Sequence, residues 1–135
     1  MANAAYNKWL EKQASAAPVA FLTDTIRAAI LSSSYVFSQS HEFFSDLTGV
    51  LGTANLASKT VTNGVLNAAS TVVTGVLASP GHIVVVYKWT GSGATSQLMR
   101  YFDTGLGFDQ TPTEDTTIVW PSDPLVGIFP LGGKP

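Results

Sequence analysis

Cysteine is absent from the sequence, which excludes a disulfide framework, a thiol nucleophile and a thiolate metal site. Only two histidines occur, His41 and His82, too few for a histidine-rich metal cluster. Charge is scarce as well: 12% of residues are charged, where soluble domains usually carry about 25%. Seven Lys and Arg (Lys8, Lys12, Arg27, Lys59, Lys88, Arg100, Lys134) are scattered along the sequence against nine acids, for a net charge of -2. Nucleic-acid binding requires clustered cations to displace counterions, so this spacing argues against such a partner. No apolar run approaches the roughly 20 residues of a membrane-spanning helix. The start, MANAAYNKWLEKQ, lacks the basic and apolar regions of a signal peptide. Synthesis in a cytosol and no membrane partner are therefore expected.

What the sequence does have is 45% hydrophobic residues in 135, enough for a core in one domain. Its polar surface must come largely from Ser, Thr, Asn and Gln, a composition suited to life in an assembly.

The spacing of Tyr6, Trp9 and Leu10 predicts a short amphipathic helix over about residues 3–16, ended by Pro18. In TDTIRAAILSS, Ile26, Ala28 and Ile30 alternate with Thr25, Arg27 and Ala29, the pattern of a strand with one buried face. SQSHEFFSDL reads as a helical turn capped by Ser38 or Ser40, turning Phe43, Phe44 and Leu47 inward. Beyond Gly49 the chain reads as short strands. Asn63-Gly64 marks a hairpin, and TVVTGVLA, HIVVVYKWT, QLMRYFD, TTIVWP and LVGIFPL follow between Gly, Pro, Ser and Thr clusters. HIVVVYKW is nearly all apolar and should be central, covered on both faces. The expectation is a mainly β single domain, an antiparallel β-sandwich or jelly roll with a short N-terminal helix and an irregular tail over about residues 130–135.

The chemical motifs are fragmentary. Gly91-Ser92-Gly93 follows a strand, but the next segment alternates like a strand instead of opening a helix toward a pyrophosphate, so a hairpin turn is the expected role. His41-Glu42 begins an H-E-x-x-H pattern whose fifth position is Ser45, which removes the second zinc ligand. No G-x-S-x-G elbow presents a nucleophile to either histidine. Glu114 and Asp115 are adjacent in a polar loop, where carboxylates point apart instead of converging across a cleft. Asp103 and Asp109 flank TGLGF without the spacing of a calcium loop. In a sheet protein, aromatic residues such as Trp9, Tyr87, Trp89, Tyr101, Phe102 and Trp120 fit core or interface anchors better than a stacking platform. No catalytic residue, cofactor or metal ligand is assigned, and the chain is read as a non-enzyme.

Four stretches carry a resemblance: AYNKWLEK; DTIRAAILSSSYVFSQSHEFFSDL; VVVYKWTGSGATSQLMRYFD, with Tyr87, Lys88, Thr90, Gly91, Leu98, Tyr101 and Asp103; and IVWPSDPLVGIFPL. Together they resemble small virion structural proteins of tailed bacteriophages and prophages, the capsid cement or decoration proteins. Residues 49–80 depart most from that pattern, being richer in Ala, Asn and Val. The resemblance implies a small, often jelly-roll-like β fold that assembles as a homo-dimer or homo-trimer on the capsid surface of the virion. It also implies the major capsid protein as partner and synthesis in the host bacterial cytoplasm. It brings no catalytic residues. Tyr6, Trp9, Phe129 and Leu131, on the helix and in the tail GIFPLGGKP, are the candidate contact residues. For Tyr6 and Trp9 the alternative is a helix docked on its own core. A tail or neck component, or a receptor-binding module gripping a host glycan through loops such as residues 104–115, is the alternative function.

Overall fold

The computed structural model describes residues 4–13, 21–32, 34–62, 65–73, 83–102, 116–118, 120 and 129–130. In chain order its elements are β1 (Ala4–Ala5), α1 (Asn7–Gln13), β2 (Ile26–Leu31), a 3-10 turn (Phe44–Asp46), β3 (Val50–Asn55), β4 (Thr60–Thr62), β5 (Val65–Asn67), β6 (Thr71–Val73), β7 (Ile83–Lys88), β8 (Leu98–Phe102), β9 (Thr116–Ile118) and β10 (Phe129–Pro130). The fold is mainly β, and α1 is the one α-helix among the described residues.

The frame is a five-stranded antiparallel sheet in the order β1-β8-β7-β2-β3. Its centre is β7, whose residues Ile83–Tyr87 are all buried. Four β-branched side chains followed by an aromatic one suit a strand covered on both faces. Val84 and Val86 enter one core with Ile26, Ala28 and Ile30 of β2. Ile83, Val85 and Tyr87 enter a second core with Ala29 and Leu31. Here β2 departs from the sequence expectation of one buried face. Ala29 is small enough to be read as neutral, yet it lies beneath the aromatic residues that follow β2.

The first core is closed by Leu66, Val73, Ile118 and Trp120, from the three-stranded sheet β10-β5-β4, the two-stranded pair β6-β9 and a position two residues beyond β9. The three sheets do not close on one another. The register Thr62↔Val65 leaves two positions between β4 and β5, as the Asn-Gly signal requires, while residues 63 and 64 themselves lie outside the described residues. The second core is closed by the chain between β2 and β3, which lays Tyr35 and Leu47 on the sheet and packs Phe37 and Phe44 against them.

The N-terminal segment wraps around the β8 edge. Ala4 and Ala5 pair with Tyr101 and Arg100, Tyr6 N–H donates to the Met99 carbonyl at 3.0 Å, and the two aromatic side chains then part: Tyr6 joins the second core and Trp9 the first. Phe129 and Pro130 pair with Leu66 and Val65 as β10. Residues 131–135 lie outside the described residues.

Candidate functional site

The β7–β8 loop holds the glycine motif, and its geometry is self-contained. Ser96 Oγ donates to the Ser92 carbonyl at 2.8 Å and accepts from Thr90 N–H at 3.0 Å. Thr95 N–H also donates to Ser92. Gly91 takes φ of 98°, a region open to glycine. Gly93 passes so close to the 3-10 turn that a Cβ there would sit 3.2 Å from the Phe44 ring, and its carbonyl accepts from Ser45 N–H. The loop's polar groups face one another, and the segment that follows is strand β8. This is hairpin chemistry.

His41 and Glu42 stand at the head of the 3-10 turn. Ser38 and Ser40 do not cap it: their hydroxyls bond each other at 2.8 Å. Asp46 does that work from the far end, its Oδ2 accepting from Glu42 N–H at 2.9 Å and Phe43 N–H at 3.0 Å. A carboxylate reaching back to free amides replaces the serine caps because it is the stronger acceptor. These two bonds, aided by nearby His41, hold the Asp46 carboxyl below its ordinary range. A carboxyl with a lower pKa in the fold than in the unfolded chain adds stability that is complete above the unfolded value of about 3.9 and is lost as pH falls through the folded value. Acid titration followed by circular dichroism should therefore show Asp46→Asn losing less stability than the parent between about pH 4 and pH 2. An unchanged acid profile would refute this role.

His41 Nδ1 lies 2.8 Å from the Tyr35 hydroxyl, which lies 2.9 Å from the Tyr6 hydroxyl. Burial raises both phenols above their ordinary range, that of Tyr6 the more, so they remain protonated donors. With the Phe37 ring tilted against Tyr101 at 4.4 Å and against Tyr6 at 5.2 Å between centres, Tyr6, Tyr35 and His41 pin the β2–β3 connection to the root of α1. Gln39 completes the clamp by accepting from Asn7 N–H at 3.0 Å. The arrangement anchors a helix and, among the described residues, brings no serine nucleophile or second base to His41. His82, Asp103, Asp109, Glu114 and Asp115 lie outside the described residues, among which no group of three His, Asp or Glu could hold a metal.

Of the four candidate contact residues, Tyr6 and Trp9 are fully buried within their own chain. Their assignment to a surface is corrected: α1 is a docked helix, because seven residues cannot stay helical without burying an apolar face. Phe129 is placed on β10 opposite Leu66, and Leu131 lies outside the described residues. Tyr87, Tyr101, Phe102 and Trp120 are core residues. Trp89 is half-buried, with the Arg27 guanidinium 4.6 Å from its ring centre and Phe44 against its edge. That cation occupies a ring face which a sugar or base would otherwise use.

Arg100 escaped the sequence reading. A register shift at Val86/Tyr87 sets Arg100 opposite Val86 and Leu98 opposite Tyr87, and the side chain is buried with its guanidinium 5.5 Å from the Phe102 ring. Burial pulls its pKa down to about 10, so it remains charged at neutral pH. Comparison with known protein families, with curated proteins and with solved structures finds no match to the chain.

Proposed function

We propose that the chain is a non-enzymatic virion protein of a tailed bacteriophage that cements or decorates the capsid by binding the major capsid protein. The observation that carries this reading is the division of labour in the surface. Titratable side chains such as His41 and Asp46 are engaged in internal structure, while large aliphatic groups stand in solvent, among them Val36 at 79%, Leu22 at 54% and Val72 at 50% exposure. Neutral surface of this kind gains most from being covered, and its contribution is not screened by salt. The resemblance of the four sequence stretches points the same way. The packing of two small sheets on one face of the five-stranded sheet supports the finer sandwich or jelly-roll reading. Multivalent attachment to a lattice would multiply a modest affinity per contact.

The test is sedimentation of the purified chain with phage capsid shells, with tails and with host envelopes as parallel arms. Saturable binding to shells that persists at high salt is the expected result. Binding only to tails or envelopes would transfer the function to a tail component or a glycan reader, and binding to none would end the virion reading.

A further inference from the structure

The hydrogen-bonded chain of Tyr6, Tyr35 and His41 has two links, Tyr6 Oη to Tyr35 Oη at 2.9 Å and Tyr35 Oη to His41 Nδ1 at 2.8 Å. With His41 neutral and its proton on Nε2, Nδ1 accepts from Tyr35 and Tyr35 accepts from Tyr6, so two hydroxyl protons fill the two links. With a proton on Nδ1, as in the other tautomer or in the imidazolium, Nδ1 must donate, and three protons meet the same two links. One phenol proton is then left without an acceptor. Tyr6 is fully buried and Tyr35 is 4% exposed, and Tyr35 is the one side-chain hydrogen-bond partner of Tyr6 among the described residues. A buried donor stranded in this way is costly.

We infer that His41 is a proton-operated latch on the N-terminal segment: neutral His41 holds β1 and α1 against the sheet, and protonation of His41 loosens them. When the segment lifts off, Tyr6 leaves with it and the Tyr35 hydroxyl donates to water, so the undocked form takes up the proton with no donor stranded. Protons therefore favour the undocked form, and docking weakens as pH falls through the histidine range. The other charged groups around His41 leave this sign unchanged. Asp46, whose carboxylate attracts the imidazolium, and Glu42 belong to the same β2–β3 connection as His41, so their pull is equal in the two forms and drops out of the difference. On α1, Lys8 and Glu11 are exposed and paired with each other at 3.5 Å. On β8, Tyr101 presents a neutral phenol, while Arg100 lies on the opposite face of the sheet beside Val86. Trp9 remains a docking anchor at every pH, so the proton changes how often the segment opens and leaves the fold in place. The inference is independent of the capsid reading, since every group in it belongs to this chain.

The experiment follows amide hydrogen exchange in the full chain, isotope-labelled, at about pH 7.5 and about pH 5.5, either side of the ordinary histidine range. The Tyr6 and Asn7 amides report on the latch, because they donate to Met99 and Gln39 only while the segment is docked. Their opening, corrected for the intrinsic exchange rate, should become several-fold and up to about tenfold more frequent at the lower pH, the factor that one proton bound only in the undocked form supplies over this range. His41→Gln and Tyr35→Phe should each flatten the dependence. His82 is untouched in both variants, so what they remove belongs to the latch. Should Tyr35→Phe fail to fold, His41→Gln decides alone. At about pH 7.5 the nitrogen resonances of the His41 ring should be those of the Nε2–H tautomer. The inference is overturned by opening that does not change with pH, by a dependence that survives His41→Gln, or by the Nδ1–H tautomer in the docked chain.

Discussion

Replacing Trp9 by alanine is expected to destabilise the isolated chain by about 3–5 kcal/mol, the usual cost of deleting a buried indole. Trp9 is fully buried in the first core with Met99 and Phe102. Its helix of seven residues has no independent stability. The loss therefore includes the docking of α1 as well as the cavity. Urea unfolding measures it. With a slope of about 1–3 kcal/mol/M the midpoint should fall by at least about 1 M, a large part of the about 5–15 kcal/mol that keeps a domain folded. The fluorescence of Trp89 and Trp120 remains to report the transition. A helix serving as a free arm for neighbours would instead leave the stability within about 0.5 kcal/mol of the parent, as surface substitutions do.

Much of this architecture is legible in local sequence. The unbroken apolar run of β7 announces a central strand, since only a strand covered twice can bury every side chain. The Asn-Gly pair between β4 and β5 declares its hairpin because a two-residue turn there needs positive φ. What the sequence conceals is non-local. Period-2 reading puts Arg100 on a strand, but the register shift beside it, which decides its surroundings, arises from pairing with β7. Tyr6, Tyr35 and His41 form one hydrogen-bonded chain although Tyr6 and Tyr35 are 29 residues apart. Asp46 supersedes two serine caps because the turn folds back onto its own carboxylate.

Gly49→Ala should cost about 2–3 kcal/mol, more than Gly91→Ala, although both glycines sit in the left-handed region. Gly49 has φ of 70° and Gly91 has φ of 98°. An L-residue pays about 1–2 kcal/mol for such a conformation wherever it occurs. The two sites differ in their surroundings. A Cβ on Gly91 meets nothing within 4 Å, so the backbone cost stands alone. A Cβ on Gly49 would lie 2.4 Å from Ser32 Oγ and 2.8 Å from Ser34 Oγ. Those hydroxyls bond each other at 2.6 Å, and Gly49 also accepts from Ser32 N–H at 2.8 Å where the chain enters β3. Relief requires the serine side chains to rotate away, which sacrifices their hydrogen bond for about another 1 kcal/mol. The double variant Ser32→Ala/Gly49→Ala isolates this part: with the Ser32 hydroxyl gone the closer of the two clashes is removed, the exposed Ser34 hydroxyl turns aside with no hydrogen bond left to lose, and the left-handed penalty remains. Its urea midpoint should lie above that expected from adding the two single losses, by an interaction of about 0.5–1 kcal/mol. Strict additivity, or a Gly49→Ala loss no larger than that of Gly91→Ala, would mean that the β2–β3 connection leaves Gly49 room the structure denies it.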